Sequence, residues 1–368
     1  MNSQLLYNIA ITCLPNIGAI TAKKLIAYCG SSENVFNEKK SPLEKIPGIG
    51  KINAQHIFNN KKEALETAEK ELKFIEKNNI HPIFFLEDAY PKRLSHCEDS
   101  PIVLYAKGKM ELNAQKVISI VGTRKATDYG KEFCEKLIAD LASHQPLIVS
   151  GLAFGIDICA HKAALQHKLP TVAALAHGLD RIYPNQHGFV AKQMQEHGGI
   201  ISDFKHETNP DRENFPKRNR IVAGIADLTI VIESSKKGGS LITADLANQY
   251  NRDVFALPGR LNDEYSEGCN WLIKTNKAAL IQSVKDIEYI MGWQATDEKK
   301  NNKQTKLFVA LSDEEKTVTN LLSETDKMPI DSIALKAEFP MSKTAALLLN
   351  LEFNGIVKSY PGKMYKLV

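Results

Sequence analysis

The chain has 368 residues, 43% hydrophobic and 24% charged, with a formal net charge of +4. That length supports two or three domains around a sizeable core, and the mild basic balance permits a nucleic-acid partner without demanding one. No apolar run is long enough to span a bilayer, the start has no basic n-region of a secretory leader, and Cys13, Cys29, Cys97, Cys134, Cys159 and Cys269 show no C-x-x-C spacing. A cytoplasmic protein with free thiols, no metal, no cofactor and no membrane partner is expected.

Residues 1–75 read as a helical domain. Two phrases in it, LPNIGAITAKKLI (14–26) and IPGIGKINAQHI (46–57), run apolar–Pro–x–Ile–Gly into a helix. Both resemble the helix-hairpin-helix motif, in which a Gly turn lets N–H groups at a helix start approach a phosphate. Lys23, Lys24 and Lys51 follow the turns, where phosphate contact would help; the alternative is a packing domain in which Gly only makes the turn.

From 76 to 292 strands and helices alternate. Strands are expected at 83–86, 103–107, 117–121, 147–150, 171–176, 200–203, 228–233 and 254–258, and helices at 129–143, 157–167, 187–197 and 240–251. Several strands are apolar almost throughout, as parallel strands covered on both faces must be. The expectation is α/β: an extended Rossmann-like, doubly wound, mostly parallel sheet. Ligands of such sheets bind beyond the carboxyl ends of the strands, so the phrases that follow the strands carry the functional argument.

The first, VGTRKATDYG, offers Gly122 and Thr123 as an anion-facing turn and Arg124 as a two-pronged phosphate contact. It is not G-x-G-x-x-G and lacks the ribose-binding acid of a dinucleotide site. The second, SGLAFGIDICAH, supplies Ser150 and Gly151; its Asp157 and His161, one helical turn apart, can form either a catalytic pair or a buried structural one. In the third, HGLDRIYP, Asp180 and Tyr183 read as structural. The fourth, FPKRNRIVAG, sets Lys217, Arg218 and Arg220 beside Phe215, with Arg212 just ahead. Cations that track a backbone and a ring that stacks on a base suit a single strand. The fifth, SSKKGGSLITADLA, opens a helix at Gly238, Gly239 and Ser240 with Thr243 one turn on, a phosphate-type turn without the Gly-Lys-Ser/Thr ending of a Walker A loop. The sixth is the Gly-rich loop GRLNDEYSEGCN; Arg252, just before its strand, is placed at the same end of the sheet. Basic groups spread over several exits favour an extended polyanion over one small phosphate.

Residues 293–306 read as a charged linker. Beyond it, 307–368 shows a capping box at Ser312 and Glu315, two further helix-like runs, a Pro-Gly turn (361–362) and a hairpin, together a winged helix; the alternative is a small helical appendage used for protein contacts.

The ordered series GTR, SGLAFGID..AH, GLD..YP, FPKRNRIVAG, GGSLITA, ALPGR and G-C-N-W-L-I resembles the DprA/Smf (DNA-processing protein A) family over the whole middle domain. The resemblance implies a non-catalytic protein that binds single-stranded DNA, protects it, and loads RecA recombinase onto it in natural transformation and recombination, as a homodimer formed near 269–290. It makes Arg124 the leading phosphate contact, sets Arg212, Phe215 and Lys217 along the strand's path, and leaves Arg218 and Arg220 as contacts or scaffold; Arg252 would lie near a base pocket. Two departures stand out. ESSKKGGS adds lysines at the fifth exit, and His177 replaces a usual Gly, where it would narrow the pocket behind the third exit. Two other readings compete. A LOG-like phosphoribohydrolase would need a Gly-Gly-x-Gly-Thr loop and a catalytic Glu, for which Asp245 is a poor substitute. A nucleotide-sensing regulator would read duplex DNA through its winged helix.

Overall fold

Alternate residues of the central strands face opposite ways, and the two apolar sets they present are each covered by helices. The computed structural model describes residues 3–293, 311–323, 327–360 and 362–367. It divides into two compact units, Met1–Thr296 and Asp297–Val368.

In the first unit nine strands form one sheet: β1 (His81–Phe84), β2 (Val103–Lys107), β3 (Val117–Val121), β4 (Leu147–Ser150), β5 (Thr171–Ala174), β6 (Gly198–Ser202), β7 (Leu228–Val231), β8 (Asp253–Ala256) and β9 (Ala279–Leu280). Their order is β1-β2-β6-β5-β4-β3-β7-β8-β9. From β6 to β9 every pairing is parallel, while β1 and β2 add an antiparallel edge. The fold is therefore the expected Rossmann-like, mostly parallel sheet. Ile118, Ile120, Ile148 and Ile230 pack under the helices Asp128–Leu141 and Ile156–Gln166. Val117, Val121, Val149 and Val231 pack under Asn214–Ile225 and Gly239–Gln249.

The helix starts have local causes. Thr127 caps Asp128–Leu141 by accepting from the N–H of Gly130 at 3.2 Å, and Cys134, Leu137, Ile138 and Leu141 then recur at helical spacing on its buried face. The helix Asn214–Ile225, absent from the sequence expectation, starts with Pro216 in its first turn, where a missing N–H costs nothing.

The N-terminal helices belong to this same unit. Helix Gly50–Asn78 runs through the boundary expected at 75/76. Its buried Glu71 accepts from the N–H of His206 at 3.1 Å and pairs with the His206 ring, which also stacks on Phe74 at 4.7 Å. Lys23 Nζ donates to the carbonyl of Glu98 at 3.1 Å and to Ser100 Oγ at 2.6 Å, and burial lowers its pKa. It is thus a tie between segments, not the free phosphate contact expected of the first hairpin. Lys51 is exposed.

The second unit has helices Asp313–Ser323, Ile330–Ala337 and Met341–Phe353 and an antiparallel sheet of order β10 (Met328–Pro329), β12 (Met364–Leu367), β11 (Val357–Tyr360), a winged helix. The expected capping box is present: Glu315 N–H donates to Ser312 Oγ at 3.2 Å and Ser312 N–H to Glu315 Oε2 at 2.9 Å. Positions 294–306 of the expected linker and Pro361 of the expected turn lie outside the described residues. Among the described residues no helix is long and apolar enough to cross a membrane.

Candidate nucleic-acid interface

β3 leads through its helix to β4 on one side, and β7 leads to β8 on the other, although β3 and β7 are neighbours with Val121 beside Val231. Their carboxyl ends therefore part, and a crevice opens between the two exits. It is a cavity of about 250 Å³ lined by Gly122, Thr123, Arg124, Gly151, Phe215, Arg218, Gly238, Gly239, Ser240 and Thr243, ten residues singled out from the sequence, together with Ala153, Asp157 and Asn219 among others.

Arg124 is exposed at the β3 exit, and its guanidinium carbon lies 4.9 Å from the centroid of the Phe215 ring. Phe215 is half-buried. Tyr183, read from the sequence as structural, is 46% exposed, with its ring centroid 6.4 Å from that of Phe215. A second aromatic thus stands at the rim; the signal was its place after a Gly-containing strand exit. Facing Arg124, the first turn of the eleven-residue helix Gly239–Gln249 opens into the crevice, where the positive end of the helix dipole favours an anion. Ser240 Oγ donates to Ser234 Oγ at 2.8 Å, which fixes that turn.

Other predicted residues are scaffold. Arg218 is buried, and its Nη1 donates to the carbonyls of Gly151, at 2.8 Å, and Ala174. Burial lowers its pKa, and Asp157 opposes that shift. Gly151 is required here, since a Cβ on it would lie 2.2 Å from Arg218 Nη1. Ser150 is fully buried and donates to the Ile120 carbonyl at 2.6 Å. Gly155 holds φ +77°, and a Cβ there would meet the Thr123 carbonyl oxygen at 2.1 Å, so the second exit packs against the first only through glycine.

Asp157 and His161 do not pair. Asp157 Oδ2 accepts from the N–H groups of Gly151 and Ala153 at 3.2 and 3.3 Å; burial raises its pKa and Arg218 counters that. His161 Nδ1 bonds Thr171 Oγ1 at 2.7 Å, and burial depresses its pKa to about 3. His177 is buried, bonds the Gly178 carbonyl at 2.8 Å and does not line the crevice.

Arg220 donates to Asp203 Oδ2 at 2.7 Å and lies on the far side of helix Asn214–Ile225 from the crevice. Lys217 is exposed on that helix, 3.8 Å from Glu213, and Arg212 is exposed just before it. Arg252 is the clear misplacement. It precedes β8 and so lies at the amino end of the parallel strands, opposite the exits, where its Nη2 donates to the Arg93 carbonyl at 2.7 Å. Among the described residues no group of three or more His, Cys, Asp or Glu could hold a metal ion.

Comparison with known proteins matches residues 81–291 to the family model for DNA recombination-mediator protein A. The chain belongs to that family. Its members are DNA-binding and non-catalytic, which removes the phosphoribohydrolase reading, and residues 305–363 match the DprA winged helix domain. Protein Smf of Escherichia coli is 32% identical over 87% of this chain and 85% of its own length. The X-ray structure of DNA processing protein A from Streptococcus pneumoniae superposes with a TM-score of 0.66 at 32% identity, covering 77% of this chain and 97% of that one. DNA processing protein A from Helicobacter pylori, in a study of its single-stranded DNA binding mode, has a TM-score of 0.52 at 31% identity, covering 58% and 95%.

Proposed function

We propose that this family member binds single-stranded DNA along the carboxyl edge of its sheet, protects incoming strands, and loads RecA recombinase onto them during natural transformation and recombination, as a cytoplasmic homodimer. The observation that carries the reading is the Arg124–Phe215 contact at the mouth of the crevice. It sets a phosphate-binding guanidinium and a base-stacking ring side by side, opposite a helix start that favours anions. Sequence-tolerant binding follows, because backbone charge and stacking carry no base code. Arg212 and Lys217 extend the basic path, whereas the buried Arg218 shapes it from beneath. The family and the Helicobacter pylori relative's single-strand mode support this reading.

The test is fluorescence anisotropy of a labelled poly-dT oligonucleotide at two salt concentrations, followed by RecA filament assembly on DNA coated with single-strand-binding protein. Tight, salt-sensitive binding and accelerated assembly are expected. Absence of binding at low salt would end the proposal.

A further inference from the structure

The β4 and β5 exits, on the side of the crevice away from β7, carry three large aromatic side chains that folding leaves in water: Phe154 (43% exposed), Tyr183 (46%) and Phe189 (72%). β4 and β5 are parallel neighbours, so their exits adjoin at the carboxyl edge. Phe154 directly follows Ala153, which lines the crevice. Tyr183 meets the crevice through the Phe215 ring. Phe189 stands in the first turn of helix Gly188–Met194, just after the β5 exit. We infer that these three rings form a stacking shelf for the bases of a single strand as it leaves the crevice; the inference rests on the single-strand reading above.

One exposed ring is ordinary on any surface. Three on adjoining exits, continuous with the crevice, need an occupant. The shelf is braced from beneath: buried His187 meets the Phe154 ring edge-on at 4.9 Å, and its Nδ1 donates to the Leu152 carbonyl at 2.7 Å, which fastens the β5 exit to the β4 exit. Charge and spacing select the occupant. From Arg181 to Gln195 the chain carries no Asp or Glu. Arg181 Nη2 lies 2.7 Å from Asp180 Oδ2, the Asp157 carboxylate turns to its own backbone, and Lys192 is exposed. Rings beside cations, with no free carboxylate along that segment, suit a polyanion. Asn185 and Gln186 stand exposed between Tyr183 and Phe189. The rings are therefore set apart by amides, as successive bases require, and not merged into the continuous apolar patch that a protein segment would cover. Every base has a face to stack, so the shelf reads no sequence.

Phe154→Leu and Phe189→Leu keep apolar bulk and remove the aromatic face. An oligo-dT series of increasing length is titrated by anisotropy against the full chain, both variants and Arg124→Ala, with thermal melts alongside. Both variants should match the wild type on the shortest strand that binds, and fall behind it by about fivefold or more on long strands, the lower end of what one stacked base contributes. Abasic sites flanking a short central dT run should erase that difference. Phe189→Trp should restore long-strand affinity, and its added indole fluorescence should be quenched by poly-dT. Phe189 is the most exposed of the three, so it decides the matter should Phe154→Leu fail to fold. Leucine variants that match the wild type at every length overturn the shelf; if they also slow RecA filament assembly, the rings are a protein contact instead. Absence of poly-dT binding by the wild type, or indifference to Arg124→Ala, overturns the single-strand reading itself.

Discussion

Arg124 leaves the end of β3 and Phe215 stands in the first turn of a helix that follows β6, yet the guanidinium covers the ring at 4.9 Å. In the free protein the cation shields an aromatic face from water. On the proposed single-strand reading, a strand entering the crevice parts the two, taking the charge on a phosphate and the ring under a base.

The first prediction follows from that pair. If about four phosphates are neutralised, log K falls with log salt at a slope of roughly −3, and Arg124→Ala flattens it by about 0.7. Phe215→Ala should weaken binding by about 1–3 kcal/mol on every sequence. The ring is only half-buried, so the variant should keep a wild-type melting curve. Anisotropy at several salt concentrations, with thermal melts alongside, checks both; an unchanged slope removes the phosphate role of Arg124.

Gly239 and Gly155 should separate binding from folding. A Cβ on Gly239 meets nothing within 4 Å, so Gly239→Ala leaves stability intact or slightly raised while it obstructs the backbone approach of a phosphate and weakens binding. Gly155→Ala forces a side chain into a positive-φ position against the Thr123 carbonyl, and should cost about 1–3 kcal/mol of stability. Paired urea melts and anisotropy titrations test the contrast. Equal melting of the two variants would count against it.

Arg252→Ala should leave single-strand affinity near the wild-type value, because the residue lies at the opposite end of the strands from the crevice. It should lower the melting temperature through loss of its bond to the Arg93 carbonyl. A binding loss comparable to that of Arg124→Ala would place DNA on the amino edge as well.

His161 predicts an acid-sensitive core. Its pKa is about 3 in the folded chain against an ordinary 6.5, so below 6.5 the unfolded chain binds the extra proton and stability drains away as pH falls toward 3. Between pH 7.5 and 5.5 this residue alone should account for a loss of about 1.4 kcal/mol. Urea melts of wild type and His161→Asn at those two values isolate it: the variant should lose less, and parallel losses would show that His161 is not the source.

Much of this was legible in the sequence, for physical reasons. Strands covered on both faces must be apolar, so β3, β4 and β7 announced themselves, and Gly122, Gly151 and Gly238 marked their exits. What the sequence hid was long-range. The carbonyls that hold Arg218 belong to Gly151 and Ala174, and only the assembled sheet brings them to it. The carboxylate that would have completed a catalytic pair with His161 turns instead to the N–H groups of its own turn. Helix Asn214–Ile225 went unread because its first turn carries Phe, Pro and a run of cations in place of an apolar repeat. Arg252 was assigned to the wrong end because nearness in sequence to a strand says nothing of which end, unless the chain direction is followed.

That same helix has a mechanical meaning. With the crevice on one flank and a second cavity, of about 350 Å³ beside β2 and β6, on the other, the distance between them is set by the thickness of one helix, about 10 Å with its side chains. Loops tolerate length changes; this spacer does not. One residue inserted after Phe215 would turn every later residue of the helix by roughly 100° about its axis, taking Arg218, Ile221 and Val222 off their buried face and parting the crevice-lining residues from Phe215. The helix thus works as a spacer of fixed width between the two cavities.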